Sequence, residues 1–161
     1  MVSPLDDRVV LRTIAFAFGP GCAVYVGGRQ QSPSDEDWDV YLRFLEAHGV
    51  RGPRPRALVL ERGFGPTLRQ RQMMHAVVGN RDVRAAVLTD ATFARGVVRL
   101  VALVSPGFRA FPVEDLGGAL RHLDVPEAEH AIYARLLESL VTELDRGSIP
   151  PSKEPTKAAR D

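Results

Sequence analysis

Runs dense in β-branched and aromatic residues alternate along the chain with stretches whose apolar positions recur every three or four residues. Arg8–Phe18 (RVVLRTIAFAF) and Ala23–Val26 (AVYV) are of the first kind and are separated by Gly19-Pro20-Gly21, so they read as two strands joined as a hairpin. Ser34-Asp35-Glu36-Asp37 then opens a helix: Ser34 suits the N-cap, and the acids complement the positive end of the helix dipole. Trp38, Tyr41, Leu42 and Leu45 give that helix one apolar face, and Gly49 stands where a C-terminal glycine is expected. Arg56–Leu60 (RALVL) is a short apolar strand. After Arg62-Gly63-Phe64-Gly65-Pro66, Thr67 begins a second helix. Thr67 and Gln70 have capping-box spacing, Met73, Met74, Val77 and Val78 form the apolar side, and Gly79-Asn80 ends it.

Ala85–Leu88 is another buried strand, and Thr89-Asp90 caps a third helix running through Leu103. The density of β-branched residues in Val97–Val104 argues for a strand there, but length and position between two strands favour helix. Phe108–Phe111 is a brief strand, followed by a helix with Leu116, Ala119, Leu120 and Leu123 on one face. Asp124-Val125-Pro126-Glu127 starts a long last helix with Tyr133, Leu136, Leu137, Leu140, Val141 and Leu144 at helical spacing. That stripe either packs on the sheet or, if the sheet is already covered, makes a dimer or partner surface. The order predicts an α/β fold: a small, mostly parallel mixed sheet of about five strands, with an N-terminal β-hairpin, helices packed on it and an extra C-terminal helix. One domain over residues 1–145 and a flexible tail over 146–161, rich in Gly, Ser, Pro, Lys and Glu, complete the expected organisation.

Composition narrows the class. A chain of 161 residues, 45% apolar and 25% charged, suits one globular domain. Its start has no basic region followed by an apolar stretch, and Val97–Val104 is too short to span a bilayer, so a cytoplasmic address is expected. The lone Cys22 makes neither a disulfide nor a thiolate metal site and reads as a core residue. Charge is uneven: four Arg against seven acids in 1–50, ten Arg against three acids in 51–99, and seven basic residues against ten acids thereafter. The basic centre either contacts an anionic partner or pairs with the acidic flanks. Interleaved aromatics and lysines are missing from it, so nucleic-acid binding ranks below protein binding.

The local phrases carry a resemblance. An initial hairpin, a crossover helix, Ala57-Leu58-Val59-Leu60 feeding the loop and helix at Thr67, and Ala86-Val87-Leu88-Thr89-Asp90 with its helix follow one another. Then Phe108-Arg109-Ala110-Phe111-Pro112 leads into Glu114-Asp-Leu-Gly-Gly-Ala-Leu-Arg-His-Leu123. This succession resembles the STAS (anti-sigma-factor antagonist-like) superfamily over residues 8–123. The resemblance implies a non-enzymatic regulatory or scaffolding domain that binds a protein partner, with no cofactor. In phosphoswitch members a Ser or Thr opens the helix after the third strand, often preceded by Asp. Here that place holds Gly65-Pro66-Thr67, with Thr67 as the phosphorylation candidate.

The candidate partner or anion site is the loop edge: Arg62, Thr67, Arg69, Arg71, Asp90 and Arg95. A loop leaving a parallel strand puts a helix N-terminus and its N–H groups at the strand's carboxyl end, where an anion is favoured. The spacing is neither the phosphate-loop nor the dinucleotide motif, and a plain threonine cap is the simpler reading. Asp90, beside Thr67, reads as a helix cap, with cation binding or a role as a base as the alternatives. His48, His75, His122 and His130 lie on different helices without metal-ligand spacing, the last two read as solvent-facing, and no metal is expected. The alternative is a small-molecule or acyl-chain binder with an apolar pocket between sheet and helices.

Overall fold

Alternation with period two sorts the strand side chains onto two faces, and each face is covered by helices whose apolar stripes the sequence displays. The computed structural model describes residues 8–49, 54–79, 81–90 and 106–147. Strands β1 (Val9–Val10), β2 (Ile14–Phe18), β3 (Ala23–Gly27), β4 (Arg56–Leu60), β5 (Arg84–Leu88) and β6 (Phe108–Phe111) form one sheet in the order β1-β2-β3-β4-β5-β6. β1, β2 and β3 pair antiparallel; β3 to β6 run parallel, with Ala23 opposite Ala57, Leu60 opposite Leu88 and Leu88 opposite Phe111. The helices are α1 (Asp35–Phe44), α2 (Leu68–Val78), α3 (Leu116–His122) and α4 (His130–Gly147).

The expected strand over Arg8–Phe18 is two strands, which makes the sheet six-stranded. Leu11 N–H turns back to Ile14 O at 2.9 Å, and Thr13 N–H and Oγ1–H both donate to Asp37 Oδ2 of α1, at 2.7 and 2.5 Å. Those bonds draw Leu11–Thr13 out of the ladder. Ser34 caps α1 as expected, accepting from Asp37 N–H. The helix then gives way to a π-helical turn over Leu45–Gly49, so Gly49 closes a wider turn rather than the α-helix itself. The last helix begins as a single 3₁₀ turn over Glu127–Glu129 before α4 proper. Arg146 and Gly147 belong to α4; the remainder of the expected tail, residues 148–161, lies outside the described residues, as does the expected helix segment over 91–103.

α3 and α4 cover one face. Tyr133, Leu136, Leu140 and Leu144 are fully buried against Ala15, Val24, Val26, Leu58 and Leu60. The α4 stripe therefore packs on the sheet and is no surface for a partner. Each such side chain contributes about 1.5–3 kcal/mol through burial. Tyr133 also reaches the β2–β3 turn, where its Oη accepts from Gly21 N–H at 3.0 Å and Cys22 N–H at 3.1 Å. α1 and α2 cover the other face over an aromatic cluster: Tyr41 has its ring centroid 5.0 Å from both Phe16 and Tyr25, and 5.4 Å from Trp38. Among the described residues no helix is long and apolar enough to cross a membrane.

Candidate functional site

Parallel strands deliver their carboxyl ends to one edge, and there the β3–α1 and β4–α2 loops interlock. Phe64 N–H donates to Gln31 O at 3.3 Å. A methyl group on Gly63 would lie 2.6 Å from Gly28 O and 2.9 Å from Gln31 N, so only glycine permits this approach. Gly65 (φ 71°) and Gln30 (φ 54°) take left-handed backbone conformations, the second at a strain cost that the interlock holds in place.

Glu61 anchors the β4–α2 loop from beneath, and the sequence reading overlooked it. It follows Leu60, so alternation turns it toward the α1/α2 face, where it is buried. Gly63 N–H donates to its Oε1 at 3.0 Å, and the N–H groups of Arg62 and Gly65 also bond the carboxylate. A methyl on Gly27 would lie 2.7 Å from Oε1, so the carboxylate fills the space this glycine leaves. Burial pushes the Glu61 carboxyl up from its ordinary value; the amide bonds and the Arg62 charge oppose this only in part. Nearby, burial and the Glu61 charge push the Tyr25 phenol well up, and its hydroxyl has no hydrogen-bond partner among the described residues.

This arrangement changes the expected anion site. Loop amides that would cradle an anion are already bonded to Glu61. Arg62 faces the other side of the sheet, with its guanidinium 3.0 Å from Asp145 of α4 and its Nε–H donating to Gly27 O at 3.0 Å. It is a tie between loop and helix, and is not available at the surface. Thr67 is the expected cap: its Oγ1 accepts from Gln70 N–H at 3.2 Å and its own N–H donates to Gln70 Oε1 at 2.9 Å. The buried Gln70 amide extends the network, donating to Pro33 O at 2.9 Å and Asp35 Oδ1 at 3.0 Å, while Trp38 Nε1–H donates to Gln70 O at 2.9 Å. Asp90 Oδ1 accepts from Val113 N–H at 3.3 Å, tying the end of β5 to the loop after β6. Asp90 and Thr67 thus stand on neighbouring loops with different partners. Arg95 lies outside the described residues.

Among the described residues, this edge leaves two large apolar side chains in solvent. Phe64 is 77% exposed and Leu68 65% exposed, on either side of the exposed Thr67, with the exposed Arg69 and Arg71 following. The sequence shows both apolar residues, but only loop geometry reveals that neither is drawn inward. His122 and His130 are half-buried rather than solvent-facing; their Nε2–H groups donate to Gly107 O at 2.9 Å and Val125 O at 3.0 Å. Cys22 is buried, and burial pushes its thiol up, away from the thiolate form. Among the described residues no cluster of His, Cys, Asp and Glu fits a metal ion.

No protein-family profile and no curated protein matches the chain. A solved structure does: an uncharacterized protein of the DUF3478 family with a SpoIIAA-like fold, from Shewanella loihica PV-4. It is similar at TM-score 0.52 and 20% identity, over 71% of this chain and 97% of that one. With its antiparallel start, its parallel β3–β6 and helices on both faces, the chain has a SpoIIAA-like fold.

Proposed function

We propose that this chain is a non-catalytic regulatory domain that docks a protein partner through the β4–α2 loop and the first turn of α2. One observation carries the reading: Phe64 and Leu68 are held in solvent by a backbone fixed from beneath by Glu61 and from the side by Gln31. A large apolar side chain on a preorganised loop costs little entropy to bury, which is the character of an interface anchor. The charged groups beneath it are engaged in structural bonds, which supports docking over chemistry. STAS-type domains are often regulatory, in agreement with this reading, although fold alone does not assign function.

Thr67 is the point of control within the reading. Thr67 is exposed between the two anchors in sequence, and a phosphate on it adds about two negative charges near Arg69 and Arg71. The test is capture of partners from the native cell by the wild type, Phe64→Asp and Leu68→Ser. Loss of a central anchor is expected to weaken a captured partner by ~30-fold or more. A partner retained equally by all three sinks the proposal. A small molecule that co-purifies in native mass spectrometry, with no protein captured, favours the ligand-binding alternative instead.

A further inference from the structure

The outward faces of α1 and α2 carry opposite charges side by side. α1 presents Asp35, Glu36 and Asp39, whereas α2 has no acid from Leu68 to Val78 and presents Arg69 and Arg71. Within one subunit these groups barely meet. Arg69 Nη1 lies 3.9 Å from Asp35 Oδ2, with side chains 78% and 66% exposed, and Asp39 pairs with Arg43 of its own helix at 2.8 Å. Among the described residues Glu36 and Arg71 make no ion pair. Val40 of α1 and Leu68 at the start of α2 are exposed, and Phe64 is exposed in the loop that leads into α2.

Such a face discriminates among partners. A uniformly acidic segment is attracted by α2 and repelled by α1; a basic one meets the reverse. A surface bearing both signs in this arrangement escapes the conflict, and a second copy of the chain bears it. We infer that the partner fitted by this face is a second copy, in a two-fold dimer that lays α1 of each subunit over α2 of the other. With the axis running along the helices the two directions match, so Asp35 and Glu36 face the partner copy's basic first turn, and the contact occurs twice. The inference rests on reading the Phe64–Leu68 surface as a protein-docking site. Helices of 10 and 11 residues offer a face about 16 Å long and about 20 Å wide, roughly 320 Å² per subunit and well below the ~800 Å² per partner of a standard interface, so the dimer is weak, reversible and salt-sensitive.

Sedimentation equilibrium reads it directly. Wild type is expected to dimerise with concentration, and several-fold more weakly in about 1 M than in about 0.05 M salt. Glu36→Arg with Asp39→Arg makes both helices basic; Arg69→Glu with Arg71→Glu makes both acidic. Each variant is expected to be monomeric alone, and an equimolar mixture is expected to dimerise again. Far-UV circular dichroism and Trp38 emission confirm that each variant is folded. A one-protomer mass for wild type up to about 1 mM overturns the inference. So does a dimer indifferent to salt and to both variants, or a mixture that stays monomeric. Capture of a different protein that persists in monomeric wild type and disappears in Phe64→Asp removes the dimer and leaves the docking reading standing; dimerisation with no anchor-dependent capture does the opposite.

Discussion

Tyr133→Phe removes one oxygen atom from a fully buried side chain, and that oxygen accepts two backbone hydrogen bonds, from Gly21 and Cys22. The ring remains and keeps its packing against the sheet, so the perturbation falls on the two orphaned N–H groups. A buried donor left without an acceptor costs about 1–3 kcal/mol. Cys22 is fully buried, Gly21 only in part, and together they give roughly 2–4 kcal/mol. For a domain of this size that lowers Tm by roughly 5–15 °C in a calorimetric scan. Tyr133→Leu also loses the ring and is expected to fall further. Because Gly21 and Cys22 precede β3, at the edge opposite Glu61, partner binding at the folded temperature should be unchanged in Tyr133→Phe. A Tm within about 2 °C of wild type would mean that the turn relaxes to solvent and that Tyr133 does not clamp it.

Other expectations follow from the same geometry. Unfolded Glu61 ionises before folded Glu61, whose carboxyl is raised by burial, so the folded state binds the extra proton in that interval and stability falls as pH rises through it. Denaturant midpoints across acidic pH should show this slope in wild type and its reduction in Glu61→Gln; identical profiles would remove Glu61 as the source. Thr67→Ala should cost about 1 kcal/mol by chemical denaturation through loss of the cap. If Thr67→Glu shifts partner affinity no more than Thr67→Ala does, Thr67 is a cap and not a switch. Phe64→Asp should leave stability within about 0.5 kcal/mol, since the side chain is exposed, and a larger loss would show that it packs. Truncation after Gly147 should leave Tm within about 2 °C, because the buried stripe of α4 ends at Leu144.

Much of the fold was legible because its signals are local. Ser34, the Thr67–Gln70 capping box and the spacing of Tyr133 through Leu144 each depend on a few neighbouring residues, and each lies where the pattern puts it. The break in Arg8–Phe18 was not legible, because Thr13 is drawn away by Asp37, 24 residues later. The site was legible in outline and misread in detail. Period two puts Arg62 on the same face as Leu58 and Leu60, toward α4, and Glu61 on the opposite one. Following that alternation two residues past β4 would have separated the two. No local pattern announces a carboxylate bonded by its own loop amides; Gly27, Gly63 and Gly65 converge on it only once the strands are paired.

The bond between Tyr133 and the β2–β3 turn joins residues 111 positions apart. On the ribosome the hairpin therefore emerges long before the side chain that satisfies its turn. At ordinary synthesis rates of about 5–20 residues per second, the wait is roughly 6–20 s. Throughout it, Ala15, Ala17, Val24 and Val26 have no α4 to cover them, since that helix is the last described element made. Folding of this domain is thus completed from the C-terminal side, and a chain stalled before Tyr133 exposes one face of its first strands to whatever chaperone or neighbouring chain reaches it first.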